Sequence, residues 1–258
     1  FKYDNASTFI DGLANVQYGG KWGLINEEGF AIVPFDYTAI YHCMDTHKWI
    51  VEKNNKKGLL DLQGHVIVPC TYSYIGFYIC GLCSVQKNNK YGFIDADGKE
   101  VIPAEYDWSA RYFVGGKAIV SKEGRYFVID TQGKVVRNLD YKWVAENRFY
   151  KDWLLACYRG QEGVIDFKGD VVLPFAYQDI HEMEFDGYYK VRQNQKYGCL
   201  DGRLNEVIKP IYTFLEDSFS EGTMAAGRNG TFGFINKKGE DVIPFTYENL
   251  SIPEKAYW

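Results

Sequence analysis

Apolar positions along this chain come in short runs that break at glycine or asparagine, and the runs recur. Leu82–Lys87 meets Asn88-Asn89, Lys90–Asp95 follows and ends at Asp95-Ala96-Asp97-Gly98, and Glu100–Pro103 closes the set. Runs of this length bounded by turn residues predict strands, because Asn and Gly accept the left-handed backbone that tight turns need. Proline, which cannot donate to a ladder, marks the end of the third run. The segment from Tyr106 to about Gly116 crosses to the next set and has room for one further short strand.

The same set returns seven times. Aligned on one step, the chain gives Gly23, Gly58, Gly92, Phe127, Gly163, Gly198 and Gly233, spaced by 34 to 36 residues. A tyrosine stands fourteen residues after each: Tyr37, Tyr72, Tyr106, Tyr141, Tyr177, Tyr212 and Tyr247. Trp22 and Leu24 flank one glycine on one face of its strand while Ile25 takes the other, so the strand is predicted to be covered on both sides. Units that cannot bury their own faces stack on copies of themselves. The expectation is one all-β repeat domain over 1–258, with repeats near 12–40, 49–75, 81–108, 116–144, 153–180, 188–215 and 222–250. A β-propeller of seven small blades is favoured, with an open β-solenoid or superhelical array as the alternative.

Departures from the pattern fall in the middle. Repeat four has Phe127 in place of glycine and Asn138 in place of proline; repeat five has Glu162 in place of the aromatic. Repeat six is read as moving its turn glycine to Gly202 and its proline to Pro210. Phe1-Lys2-Tyr3-Asp4 matches the tail of a unit, which in a closed ring suggests the outer strand of the last blade. A start at Phe1 reads as a processed or excised chain.

The best copies are Lys21-Trp22-Gly23, Lys90-Tyr91-Gly92-Phe93-Ile94-Asp95 with Gly98-Lys99-Glu100-Val101-Ile102-Pro103-Ala104-Glu105-Tyr106, and Thr231-Phe232-Gly233-Phe234-Ile235-Asn236. In combination they resemble the WG, or KWG, repeat family of bacterial proteins over essentially the whole chain. The resemblance implies propeller-like blades, similar to those that bind quinone cofactors, and an interaction or envelope role. It implies no reaction and supplies no catalytic residue.

Composition supports the strand reading, since 21 Tyr and 17 Phe favour β structure and exclude disorder. A net charge of −5 without a basic run offers nucleic acid no footprint. No apolar run is long enough to span a bilayer as a helix. A bacterial envelope or exported location is the expectation, although six unpaired cysteines suit the cytosol equally.

Candidate chemistry is sparse. Cys80-x-x-Cys83 has redox spacing without a second pair, and alignment accounts for most of the six cysteines as small buried hydrophobes, Cys70, Cys83 and Cys199 standing where other repeats have apolar residues. His42, Cys43, Asp45 and His47 cluster after repeat one, but the sequence shows no partner to complete a metal set, so they read as a loop. No metal or cofactor is expected. The aspartates Asp61, Asp95, Asp130, Asp166 and Asp201, with Asn26 and Asn236, read as turn residues. Glu146, Asp179, Glu182, Glu184, Glu216 and Asp217 lie in crossings, and a carbohydrate-active enzyme with carboxylates at the ring centre is one alternative function. A structural spacer of a larger envelope protein is another. What survives subtraction of the repeat is an aromatic set two residues past the tyrosine, Tyr74, Trp108, Trp143 and Phe214, with Asp107, Arg111, Glu146 and Arg148 nearby. Flat rings beside polar groups suit a sugar or a peptide, so the leading expectation is a non-enzymatic binding scaffold.

Overall fold

The computed structural model describes residues 2–43, 47–146, 153–183 and 187–248. The regular elements among them are strands, gathered in seven antiparallel sheets of four strands each. The sheets span residues 5–37, 39–72, 74–106, 108–139, 143–177, 179–212 and 214–247, and in every one the four strands are consecutive in sequence. Seven four-stranded meanders are the strand composition of a seven-bladed propeller.

One residue separates most sheets: Thr38, Ser73, Asp107, Gln178 or Thr213. Its amide donates to the second strand of the sheet it enters, as Thr38 does to the Glu52 carbonyl at 2.7 Å and Ser73 to that of Gln86 at 2.8 Å. The crossing segment therefore supplies the first strand of the following sheet, and Tyr74–Ile79 pairs with Leu82–Lys87. A return to the open side of its own second strand would span three strand spacings, about 14 Å, which one residue cannot bridge. The N-terminal tail corrects an expectation in the same way. Asn5 and Ala6 pair with Gln17 and Val16, so the tail opens the first sheet rather than completing the last. Asp4 donates to the Gln17 carbonyl at 2.8 Å, the bond that Thr38 makes one sheet later.

The recurrent glycine has a defined task. Tyr91 pairs with Tyr106 and Phe93 with Ile102, so Gly92 alone faces the three residues Pro103, Ala104 and Glu105. The fourth strand bulges toward the glycine. A Cβ on Gly92 would lie 2.5 Å from the Ile102 carbonyl oxygen and 2.6 Å from the Ala104 nitrogen, closer than any side chain tolerates. At Gly23 the approach comes from the Val33 carbonyl at 2.7 Å and the Phe35 ring at 3.0 Å. Contrary to the expectation from sequence, proline does not end this strand, which runs Glu100–Tyr106 through Pro103; proline fits inside it because the strand bulges there and is an edge. Sheet four shows the converse. Phe127 replaces the glycine and pairs with Asn138 in regular register between Tyr126–Leu139 and Val128–Arg137, without the bulge. Leu139 thereby takes the place of the repeat tyrosine opposite Tyr126, and Tyr141 falls beyond the strand.

A second glycine acts between sheets. The third-to-fourth strand turn is built on an aspartate: Asp95 Oδ1 accepts from the amides of Asp97 and Lys99 at 3.0 and 2.9 Å, and Gly98 takes φ +77°. Asp61, Asp130, Asp201 and Asn236 repeat the pattern, which bears out the turn reading. A Cβ on Gly98 would collide with Val68, and one on Gly133 would lie 3.2 Å from Ile102, both on the fourth strand of the preceding sheet. In sheet six this position is Leu204, which carries φ +65° and closes the same turn through its amide to the Asp201 carbonyl at 2.9 Å. Gly202 has no positive φ, so the turn glycine of repeat six has not moved but has been replaced. Leu204 is buried in a cluster with Leu173, Val164 and Ile180, and that burial offsets its backbone strain.

The core is made between successive sheets. Leu13, Leu24 and Val33 of the first meet Ile40, Trp49, Val51 and Leu60 of the second; Phe93 and Ile102 of the third meet Phe113, Val120 and Ile129 of the fourth. Leu24, Phe93 and Ile94 are wholly buried, as a strand covered on both faces requires. The chain divides into two compact units, residues 1–140 with 167–169, and 141–166 with 170–258. Within the first, Phe167 stacks on Tyr112 at 5.4 Å. Within the second, Ile208 and Tyr212 of the sixth sheet meet Met224, Ala226 and Ile235 of the seventh.

Two stability outcomes are expected. Gly92→Ala should cost about 1–3 kcal/mol in urea unfolding, because the clash is with backbone; deleting Pro103 and Ala104 in a Gly92→Phe chain should raise the urea midpoint above that of Gly92→Phe alone, since it recreates the register of sheet four. Leu204→Gly should lower stability by about 1 kcal/mol, lost burial outweighing the relieved φ.

Candidate functional site

Cross-strand register collects the aromatic positions at one end of each sheet. The rows read Tyr74, Gln86, Tyr91, Tyr106 in the third sheet, Trp108, Ser121, Tyr126, Leu139 in the fourth, Trp143, Cys157, Glu162, Tyr177 in the fifth and Phe214, Gly227, Phe232, Tyr247 in the seventh. Tyr74, Trp108, Trp143 and Phe214 each begin a first strand and are half-buried, while Ile75, Ser109, Val144 and Leu215 beside them are buried. Trp108 meets Tyr126 edge-on at 6.1 Å and Phe214 meets Phe232 at 5.8 Å. Gly227 leaves the space between the last two, since a Cβ there would lie 3.1 Å from Phe214 and 3.0 Å from Phe232. Tyr74 and Trp108 thus hold equivalent positions in successive sheets of the first unit, and Trp143 and Phe214 equivalent positions within the second.

Charged groups pair with one another in the segment that leads into Trp108. Asp107 accepts from Lys90 and, through Oδ2, from the Glu123 amide at 2.7 Å, and Lys90 foremost holds its carboxyl below the usual range. Lys122 pairs with Glu105 at 2.7 Å. Arg111 is exposed. Of the remaining sequence candidates, Glu146 ends the first strand of the fifth sheet opposite Leu154, and Arg148 and Glu184 lie outside the described residues.

Two crossing carboxylates meet a histidine. His181 Nδ1 is 2.8 Å from Asp179 and its Nε2 is 3.6 Å from Asp217. Asp217 also accepts from Lys190 at 2.6 Å. The Lys190 side chain is buried, with Nζ donating to the Leu215 carbonyl at 2.5 Å and lying 4.9 Å over the Tyr197 ring. Asn15 makes the same kind of reach in the first unit, donating to the Ile40 carbonyl at 3.2 Å, so Lys190 ties one sheet to the first strand of the next. Glu162 accepts from the Ile180 amide at 2.7 Å, and burial pushes its carboxyl above the usual range.

The cysteines separate by burial. Cys83 is enclosed, its thiol directed to the Gly76 carbonyl at 3.2 Å, and burial pushes it up to about 12. Burial likewise pushes Cys199 up to about 12. Cys80 is exposed at a turn with φ +56° and its sulfur lies 3.6 Å from the Phe113 carbonyl, so Cys80-x-x-Cys83 is one surface thiol and one core thiol.

The histidine cluster gains a member that sequence reading missed. Asp11, in the turn before the second strand of the first sheet, brings Oδ2 to 3.1 Å from His42 Nε2 and 2.9 Å from His47 Nδ1. His42 and Cys43 lie in the first strand of the second sheet rather than in a loop, Cys43 buried and not among the converging groups, and Asp45 lies outside the described residues. Asp11 and His47 stand two residues and one residue before a second strand, with left-handed backbones of φ 52° and 49°, and no common repeat offset links them. Their meeting at His42 is tertiary, and spacing within one repeat cannot show it.

A family model described as a WG containing repeat matches residues 1–22, 58–91, 91–126, 163–197 and 232–254. No curated protein sequence matches the chain. Among solved structures, Hsv2p of Kluyveromyces lactis is 13% identical with a TM-score of 0.40, over 91% of this chain and 89% of that one. The Pan2 WD40 domain of Neurospora crassa is 13% identical with a TM-score of 0.34, over 87% and 86%. PorZ, a surface component of the type-IX secretion system of Porphyromonas gingivalis, is 10% identical with a TM-score of 0.34, over 95% of this chain and 38% of that one.

Cysteine labelling tests the local environments. Iodoacetamide on the folded chain should modify Cys80 first and leave Cys83 and Cys199 unmodified until denaturant is added, with mass spectrometry of the peptides as the readout. A Cys80–Cys83 disulfide in the purified chain would contradict this arrangement.

Proposed function

The chain belongs to the WG-containing repeat family, and on that premise we propose that it is a non-enzymatic binding scaffold whose half-buried aromatic positions take a glycan. A repeat fold of this kind fits a binding scaffold, since equal positions in successive sheets build extended surfaces. The observation that carries the finer reading is the half-burial of one ring at the start of the first strand in four sheets, next to a buried neighbour each time. Packing alone would be served by enclosing these rings. The apolar face of a sugar stacks on such a ring while its hydroxyls need donors and acceptors. Asp107, which directly precedes Trp108, and the ion pairs Lys90–Asp107 and Lys122–Glu105 are the polar groups that this segment offers for them. Tyr74 and Trp108 stand in successive sheets of the first unit, whereas Trp143 and Phe214 stand in the fifth and seventh sheets of the second, with Asp179 at the position between.

Glycan-array screening followed by titration of the best ligand tests the proposal. Trp108→Ala should weaken the interaction by roughly tenfold, about 1.4 kcal/mol, without a matching fall in melting temperature. A melting temperature lowered by many degrees with glycan affinity retained would assign Trp108 to packing on Tyr126 instead. Peptide but no glycan retained by the wild-type chain would transfer the site to a protein partner.

A further inference from the structure

We propose that Asp11, His42 and His47 form a binding site for a divalent transition-metal ion, with Zn2+ as the ion that the donor set fits best. Two imidazole nitrogens and a carboxylate oxygen from two successive repeats converge, and all three ligand atoms lie within 4.8 Å of one another. A tetrahedral zinc ion with legs of about 2.0–2.2 Å holds its ligand atoms roughly 3.3–3.5 Å apart. The two separations seen here, 3.1 and 2.9 Å, fall a few tenths short of that. Both side chains that must shift, Asp11 and His47, are partly solvent-exposed, with 31% and 65% of their side-chain surface open, so seating an ion disturbs no core contact.

His42 is the fixed member. Its side chain is only 7% exposed and its ring sits edge-on to buried Trp49 at 4.9 Å. Its Nδ1 is buried without a hydrogen-bond partner among the described residues, so the Nε2 end, aimed at Asp11, is what accounts for placing an imidazole here. The repeat itself does not ask for histidine at this position: three residues after the start of the first strand, the other sheets have Thr8, Phe77, Arg111, Glu146, Glu182 and Asp217. An aligned nitrogen on a rigid element with two adaptable ligands at the surface is a workable arrangement for metal capture. Imidazole and carboxylate are borderline and hard donors, which selects a first-row divalent ion over Ca2+ or Mg2+. With three protein ligands and an exposed rim, the fourth position falls to water.

The experiment is calorimetric titration of the metal-stripped full chain with Zn2+, with the Co2+ visible spectrum as a geometric readout. The expected result is one Zn2+ per chain, an intense tetrahedral Co2+ band and a raised melting temperature. Asp11→Asn and His47→Gln, both at exposed side chains, should each weaken Zn2+ by at least about tenfold and bleach the Co2+ band while melting like the wild type without metal. His42→Gln should do the same, and its fold is checked by the same metal-free melt. Absence of stoichiometric uptake by the wild-type chain overturns the proposal. Wild-type affinity in either Asp11→Asn or His47→Gln overturns it as well, because the ion would then be held elsewhere.

Discussion

A missing side chain in the third strand governs the geometry of each sheet. At Gly23, Gly58, Gly92, Gly163, Gly198 and Gly233 the carbonyl oxygen of the fourth strand sits where a Cβ would be. The bulge that brings it there sets the register that puts the repeat tyrosine opposite the residue before the glycine, as in Tyr91–Tyr106, Trp22–Tyr37 and Tyr197–Tyr212. Glycine, proline and tyrosine recur together because they are three parts of one backbone arrangement. Phe127 confirms the dependence from the other side: with a side chain present, the pairing becomes regular and the proline and the aligned tyrosine are lost with the bulge. The aromatic that precedes the glycine is less constrained, and Trp22, Lys57, Tyr91 and Glu162 all occupy it.

The two recurrent glycines work at different scales. The strand glycine admits backbone from its own sheet, whereas the turn glycine at Gly64, Gly98, Gly133, Gly169 and Gly239 admits an aliphatic side chain from the preceding sheet. Leu204 shows that the second requirement is negotiable, because a side chain that packs on the same Leu173 cluster can replace open space at the cost of backbone strain. At the first the obstacle is a peptide group, so a side chain is accepted only where the fourth strand gives up its bulge, as it does opposite Phe127.

Most of the fold was legible because the repeat averages over seven copies and exposes what is common. The turn positions, the aspartate turns and the burial of Cys83 and Cys199 followed from alignment, whereas the run closed at Pro103 continues as a strand to Tyr106 and Cys70 is only half-buried. What stayed hidden was relational. That Trp108 begins the fourth sheet instead of ending the third depends on a one-residue linker too short to turn back, and Asn5–Ala6 follows the same logic. Gly202 looked like a displaced turn glycine because composition cannot reveal which residue carries the positive φ. For the candidate sites, His42 and His47 were visible as a local pair, but Asp11 belongs to the preceding repeat and reaches them only through stacking of sheets. The aromatic set was readable as positions, while its edge contacts with Tyr126 and Phe232 were not.

The way each sheet is filled by four consecutive strands bears on how such a chain can change in length. Among the described residues no sheet borrows a strand from elsewhere in the sequence, and the join between sheets is a single residue after a tyrosine everywhere except between the fourth and fifth, where residues 140–142 follow Leu139. A gene duplication or deletion with both breakpoints at such joins adds or removes one whole sheet and leaves every remaining hydrogen-bonded ladder intact. Breakpoints anywhere else split a ladder and strand an unpaired edge. The same joins are therefore the natural seams for recombining repeats, and they allow a histidine or tryptophan acquired in one copy to be carried into a new neighbourhood without rebuilding the sheet around it.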